Sequence, residues 1–164
     1  MSATRMDRDA DLLIGSRASD HVAVWVESRP HRDAQDFWDA NWLVTPIEVR
    51  AGSFNARVPA SLRADELQRF RQGLEAIDRL AAREATLESM EDWIRLQVTM
   101  APVGAIGVSG NLVDSPGVGN RLRFDLAADL HLADVGPWID QLQRIEAAYP
   151  VIGSPRQVFS RPVE

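Results

Sequence analysis

Alternation of apolar and polar residues dominates this chain, and one long stretch breaks it. Val22, Val24 and Val26 alternate with Ala23, Trp25 and Glu27, the period of two expected of a strand with one buried face. A second such run begins at Leu43 and continues through Ile47 and Val49. Gly52 permits a tight reversal, after which Phe54, Ala56 and Val58 form the next apolar face. Residues 42–59 therefore predict a hairpin, with Pro46, which has no N–H, at an edge or a bulge.

Over residues 61–83 the period becomes helical. Leu67, Phe70, Leu74, Ile77 and Ala81 recur at spacings of three and four, predicting a helix over about 63–82. Asp65 with Arg69 and Glu75 with Arg79 are spaced for i,i+4 ion pairs worth about 0.2–0.5 kcal/mol each. Gly73 lies in mid-helix, where it costs up to about 1 kcal/mol relative to alanine, and close packing against a sheet would explain it.

Alternation then returns. A weak strand spans 85–89; Ile94, Leu96, Val98 and Met100 form a clean apolar face; Ile106, Val108 and Leu112 continue it on a glycine-containing run. DSPGVGN at 114–120 is a turn by composition, and Leu122, Phe124, Leu126 and Leu130 follow, so a three-strand antiparallel meander is expected. Pro137 at a first helical position and Pro150 beyond the end bracket a second helix over about 137–148, with Trp138, Leu142, Ile145 and Tyr149 on one face. The expected fold is α+β: a single domain over 1–150, an antiparallel, strand-rich sheet covered by two helices, with a proline-containing tail at 151–164 that lies along the surface or frays.

Composition narrows the chemistry. A chain of 164 residues is about one domain long and buries roughly 70% of the surface its unfolded form exposes, so no covalent staple is required. There is no cysteine, which removes disulfides, thiolate nucleophiles and Cys-rich metal sites. All 18 basic residues are arginine, so Schiff bases and a P-loop lysine are excluded too. The acidic start lacks the basic lead and apolar stretch of an export signal, and the longest weakly polar run, 98–108, is broken by Pro102, Gly104 and Gly107; a cytoplasmic protein is expected.

Net charge is −6, unevenly distributed. Asp33, Asp36, Asp39 and Glu48 fall in a window without arginine, and Asp125, Asp129, Asp134 and Asp140 in another. Such surfaces disfavour nucleic acid, which is gripped by clustered cations, and favour a basic protein partner.

Catalytic and metal signatures are weak. His21, His31 and His131 form neither HxH nor HExxH and read as ordinary surface or boundary residues; no metal or cofactor is expected. GVSGN at 107–111 departs from the nucleophile elbow at its last position, and GVG at 117–119 lacks the third glycine of a dinucleotide loop. Glu88, Glu91 and Asp92 are close enough for paired acid–base work, but three such acids more often form a solvated turn. Trp38 and Trp42 suit either a core or an interface, Trp42 favouring the core.

Three segments, QDFWDANWL at 35–43, EDWIRLQV at 91–98 and DSPGVGNRLRFDL at 114–126, together with the closing helix, resemble the WapI-type family of bacterial immunity proteins in order and spacing. The resemblance spans about residues 11–149. It implies a small, non-catalytic cytoplasmic partner of a toxin domain delivered between bacteria; the family takes its name from a protein that neutralises a tRNA-cleaving toxin. On that basis Asp33, Asp36, Trp38, Asp39, Glu91 and Asp92 are candidate partner-binding residues, and the expected partner is a basic cognate toxin domain. The alternative is a small-ligand module with a pocket between a curved sheet and the long helix, suggested by the glycine-rich strand at 104–110.

Overall fold

Gly52 and Ser53 form a two-residue loop, Gly52 at φ +58°, which sets Ala51 opposite Phe54 and fixes the register of the first hairpin. The computed structural model describes residues 5–155. In chain order the strands and helices are β1 (Leu12–Gly15), β2 (His21–Val24), α1 (Phe37–Ala40), β3 (Trp42–Val44), β4 (Ile47–Ala51), β5 (Phe54–Val58), β6 (Ser61–Arg63), α2 (Ala64–Asp78), β7 (Glu84–Glu88), β8 (Ile94–Met100), β9 (Ala105–Val113), β10 (Arg121–Asp125), β11 (Leu130–His131) and α3 (Leu132–Ala148). The domain is α+β, as the hydrophobic periods require, and all strand pairings among the described residues are antiparallel.

The strands form two sheets and a ribbon where a single sheet was expected. One sheet runs β1-β2-β4-β5; the other runs β10-β9-β8-β7 with β11 also on β9; β3 pairs with β6 alone. The predicted meander is present as β8, β9 and β10, and β7 extends it. The predicted hairpin at 42–59 divides at Pro46. Residues before it pair Leu43 with Leu62, and residues after it pair Ile47 with Val58, so the proline sits where the chain leaves the ribbon and enters the sheet.

One hydrophobic cluster joins both sheets and the two long helices, including Leu12, Val24, Ile47 and Val49 from the first sheet, Leu87, Leu96, Val98 and Val108 from the second, and Leu67, Phe70, Leu74, Trp138 and Leu142 from the helices. β2 differs from the expected half-buried strand, because every residue over 21–26 is buried. Its second face is covered by polar chain: Trp25 donates Nε1–H to the Arg8 carbonyl at 2.9 Å and lies under the Arg17 guanidinium.

Helix α2 ends at Asp78, four residues before the expected boundary, since the chain turns there and Leu80 adopts φ +62°. Ala81 is accordingly exposed rather than part of the core face. Asp65 pairs with Arg69 at 3.3 Å as spaced, but Glu75 takes Arg71 instead of Arg79, and Arg71 also reaches Glu146 of α3 at 2.7 Å. A cross-helix partner outcompetes an exposed one because it fixes the guanidinium between two carboxylates. Helix α3 begins at Leu132, five residues before Pro137, which lies inside it. Gly136 makes this possible, since the usual clash of a proline ring with the preceding Cβ has no Cβ to meet.

Gly73 has the close approach anticipated for it: a Cβ there would lie 2.9 Å from Ala85 Cβ on β7. Gly73→Ala should destabilise the protein by about 1 kcal/mol, because overpacking costs about 1–3 kcal/mol against at most about 1 kcal/mol of regained helix propensity. A urea midpoint equal to or above the parent's would show that α2 can move away from β7 at no cost.

Candidate functional site

The segment FWDANW folds into α1 and the start of β3, and a four-residue helix cannot stand on propensity, since isolated helices are marginal below about 12–15 residues. Its supports are therefore external. Asp36 is the N-cap, extended at φ −83° and ψ 154°, and its carboxylate accepts the N–H groups of Trp38 and Asp39 at 3.1 Å each. Phe37 and Ala40 turn into the core, leaving Trp38 and Asp39 facing out, with Trp38 40% exposed.

The far end is held by Arg63, whose side chain is wholly buried. Its guanidinium donates to the carbonyls of Phe37 at 2.8 Å and Trp38 at 2.5 Å and to Asp65 Oδ1 at 3.1 Å. The same group lies 5.0, 5.4 and 5.1 Å from the ring centroids of Phe37, Trp38 and Trp42. A cation at the carbonyl end of a helix, among three aromatic faces, satisfies both its hydrogen-bond geometry and its charge. Trp42, half-buried, is thus fixed by stacking on Arg63.

Asn41, fully buried, donates to the carbonyls of Phe37 at 2.8 Å and Ile152 at 2.9 Å and accepts the Ile152 N–H at 2.9 Å. Arg29 bridges the carbonyls of Ala40 and Pro150. The start of the tail, expected to lie along the surface or fray, is therefore tied to α1 through Ile152, while residues 156–164 lie outside the described residues.

The second group of candidates is connected to the first through Glu66. Its carboxylate accepts the Arg63 backbone N–H at 2.9 Å and the Met90 N–H at 2.7 Å, so one side chain caps α2 and anchors the β7–β8 turn that carries Glu91 and Asp92. Burial pushes the Glu66 carboxyl up, more than its two backbone donors pull it down. Asp33, Asp36, Trp38, Asp39, Glu91 and Asp92 are all exposed; Arg63 holds the helix that carries Trp38 and Asp39 and is capped by Asp36, Glu66 holds the turn that carries Glu91 and Asp92, and Asp33 lies in the loop before α1. Their electrostatics differ. Asp33 and Asp39 have no ion-pair partner among the described residues, whereas Asp92, at φ +59°, pairs with Arg121 at 2.5 Å. Glu88, Glu91 and Asp92 each turn to a separate partner, Arg95, Trp93 Nε1–H and Arg121 respectively.

Other predicted residues go elsewhere. Glu48 belongs to the same acidic window in sequence but points inward, 3% exposed, accepting from His21 Nε2 at 2.7 Å, Arg17 at 2.8 Å and Arg57 at 2.5 Å. Burial alone would raise its pKa; the bonds from His21 and Arg57 and the charge of Arg17 more than offset that and hold it below the usual range. His21 is hence a buried structural residue, not a surface one, while His31 is exposed in its loop. Asp134 is occupied in accepting the His131 N–H at 2.8 Å at the start of α3. Among the described residues no group of three or more His, Asp or Glu side chains is placed to hold a metal, and no helix is long and apolar enough to cross a membrane.

A surface groove of about 490 Å³ runs between α2 and β7, lined by Glu66, Arg69, Thr86, Glu88, Ser89 and Met90. The glycine-rich strand does not line it. Gly110 answers to sheet packing instead: a Cβ there would stand 2.2 Å from the Arg95 carbonyl oxygen and 3.1 Å from Phe124 Cζ.

Sequence reasoning missed Arg63, Asn41 and the buried role of Glu66. The one local signal was Glu66 itself, three residues past the helix N-cap, the spacing of a capping box. Nothing in sequence marks an arginine as buried.

The chain matches a family described as the immunity protein WapI-like family over residues 13–150. No curated protein and no solved structure matches it.

Proposed function

As the chain belongs to the WapI-like immunity protein family, we propose that it binds a cognate bacterial toxin domain in the cytoplasm and neutralises it by occupying its working surface, without turnover. The observation that carries this reading is the family match along most of the chain, joined to the exposed aspartates Asp33, Asp36 and Asp39 around α1. A preformed anionic surface attracts a basic protein at long range, and a nuclease, which must grip phosphate, is the kind of toxin such a surface suits.

Co-expression tests the role directly: a basic toxin domain encoded beside this gene should kill cells alone and be tolerated when this protein is present. Unchanged killing would sink the proposal. The acidic surface has its own test. Because Asp36 holds the α1 N-cap, reversal should be confined to Asp33→Lys and Asp39→Lys, which leave the cap intact. The double variant should associate with the toxin about tenfold more slowly at low salt, with a flatter salt dependence. Equal rates at low salt would remove this patch from the interface.

One observation favours the small-ligand alternative, the groove of about 490 Å³ beside α2. Ligand sites bury most of their ligand, whereas the space between α2 and the sheet is filled by Leu67, Phe70, Leu74 and Ile77. Immunity is the better-supported reading.

A further inference from the structure

We infer that Trp38 is the anchor of the toxin interface and that it receives an arginine side chain of the partner on its open face. The inference rests on the immunity reading and deepens it by assigning the residue that sets residence time. Other large apolar side chains stand exposed, among them Phe54 and Met90, but Trp38 combines its exposure with ring contacts that fix its side chain. Its N–H is held by Asp36, its carbonyl by Arg63, its ring by a perpendicular contact with Phe37 at 5.2 Å and 86°, and one ring face by the Arg63 guanidinium at 5.4 Å. With 40% of the residue still open to solvent, the ring is a platform already ordered before binding. Ordering an aromatic side chain in advance removes part of the entropy cost of association, and rigid tryptophans are among the commonest hot spots.

Charge complementarity identifies the occupant. The indole face attracts cations, and Asp39, the next residue on the same exposed side of α1 and without an ion-pair partner among the described residues, supplies a carboxylate beside it, with the exposed Asp33 in the loop that leads into the helix. A planar guanidinium satisfies both demands at once, stacking on the ring while its N–H groups reach a carboxylate; an ammonium group stacks less well. The flanking aspartates then govern how fast the partner arrives, and Trp38 governs how long it stays.

The test is a rate measurement on the full chain with the toxin domain encoded beside it, by surface-immobilised binding, comparing the parent with Trp38→Ala, Trp38→Phe and the Asp33→Lys/Asp39→Lys double variant. Trp38→Ala should raise the dissociation rate about thirty-fold or more while association stays within about threefold. Trp38→Phe, which keeps an aromatic face and guards against misfolding, should recover much of the loss; the aspartate variant should show the opposite split, slow association with little change in dissociation. Dissociation unchanged in Trp38→Ala would overturn the inference while leaving the immunity role intact. So would light scattering that shows the parent to be a dimer which Trp38→Ala splits with toxin binding preserved, since Trp38 would then serve a second copy of this chain. A parent protein that neither binds nor protects would overturn both.

Discussion

Arg63→Ala should lower the unfolding free energy by about 3–5 kcal/mol, the range for removing one member of a buried ionic network together with the cavity it leaves. The side chain is fully buried, so its loss opens a cavity and takes a donor from three acceptors at once: the Trp38 carbonyl loses its bond from Arg63, the Phe37 carbonyl keeps only Asn41, and the Asp65 carboxylate keeps only Arg69. Three aromatic rings lose the cation that spaces them. Arg63→Lys should recover little, because one ammonium cannot reproduce a fork that addresses two carbonyls and a carboxylate at once. Equilibrium urea unfolding measures the loss, and tryptophan fluorescence reports whether α1 has released Trp38 and Trp42. Since α1 and the turn at Met90 both hang on the Arg63–Glu66 unit, toxin affinity should fall together with stability. A loss under about 1 kcal/mol, or full recovery in the lysine variant, would show that α1 stands without the guanidinium.

Glu48→Gln should cost about 2–4 kcal/mol and change the acid sensitivity of the fold. The carboxylate is 3% exposed and is the common acceptor of His21, Arg17 and Arg57. Glutamine offers one oxygen where two were used and turns an N–H₂ toward a donor. Arg17 and Arg57 are half exposed and can turn to water, which keeps the loss below that of Arg63; His21, 2% exposed, cannot. Glu48 and Asp20 both sit below the usual carboxylate range, Asp20 because the N–H groups of Gly52 and Ala127 bond its oxygens at 2.8 and 2.7 Å. As pH falls below about 4 the unfolded chain binds protons that the folded chain resists, so the stability these two groups contribute is present at neutral pH and is lost as pH drops through their folded values. Glu66, raised by burial, acts in the opposite sense: its contribution is present at low pH and declines as pH rises above the ordinary carboxylate value. Stability of the parent should therefore decline in acid, and the decline should be shallower in Glu48→Gln. Parallel pH profiles would mean that Glu48 does not carry the acid response.

Local pattern was enough for the α+β class, the meander at β8 to β10, the existence of the two long helices and the tight fit at Gly73, because each follows from a local period or from the size of one side chain, whereas one end of each helix shifted by four or five residues. It also placed α1 and the β7–β8 turn among the segments of interest through their clustered tryptophans and acids. Long-range contacts alone settle that the strands form two sheets and a ribbon, the chain leaving the ribbon for the first sheet at Pro46, that Glu48 turns inward while Asp33 and Asp39 stay exposed, and that Arg63 and Glu66 join the two candidate segments. The reason is physical: alternation tells which residues share a face, but not which distant strand supplies a neighbour. The burial of a charge depends on partners 31 or 26 positions away, as with Arg17 for Glu48 and Phe37 for Arg63, which no local pattern encodes.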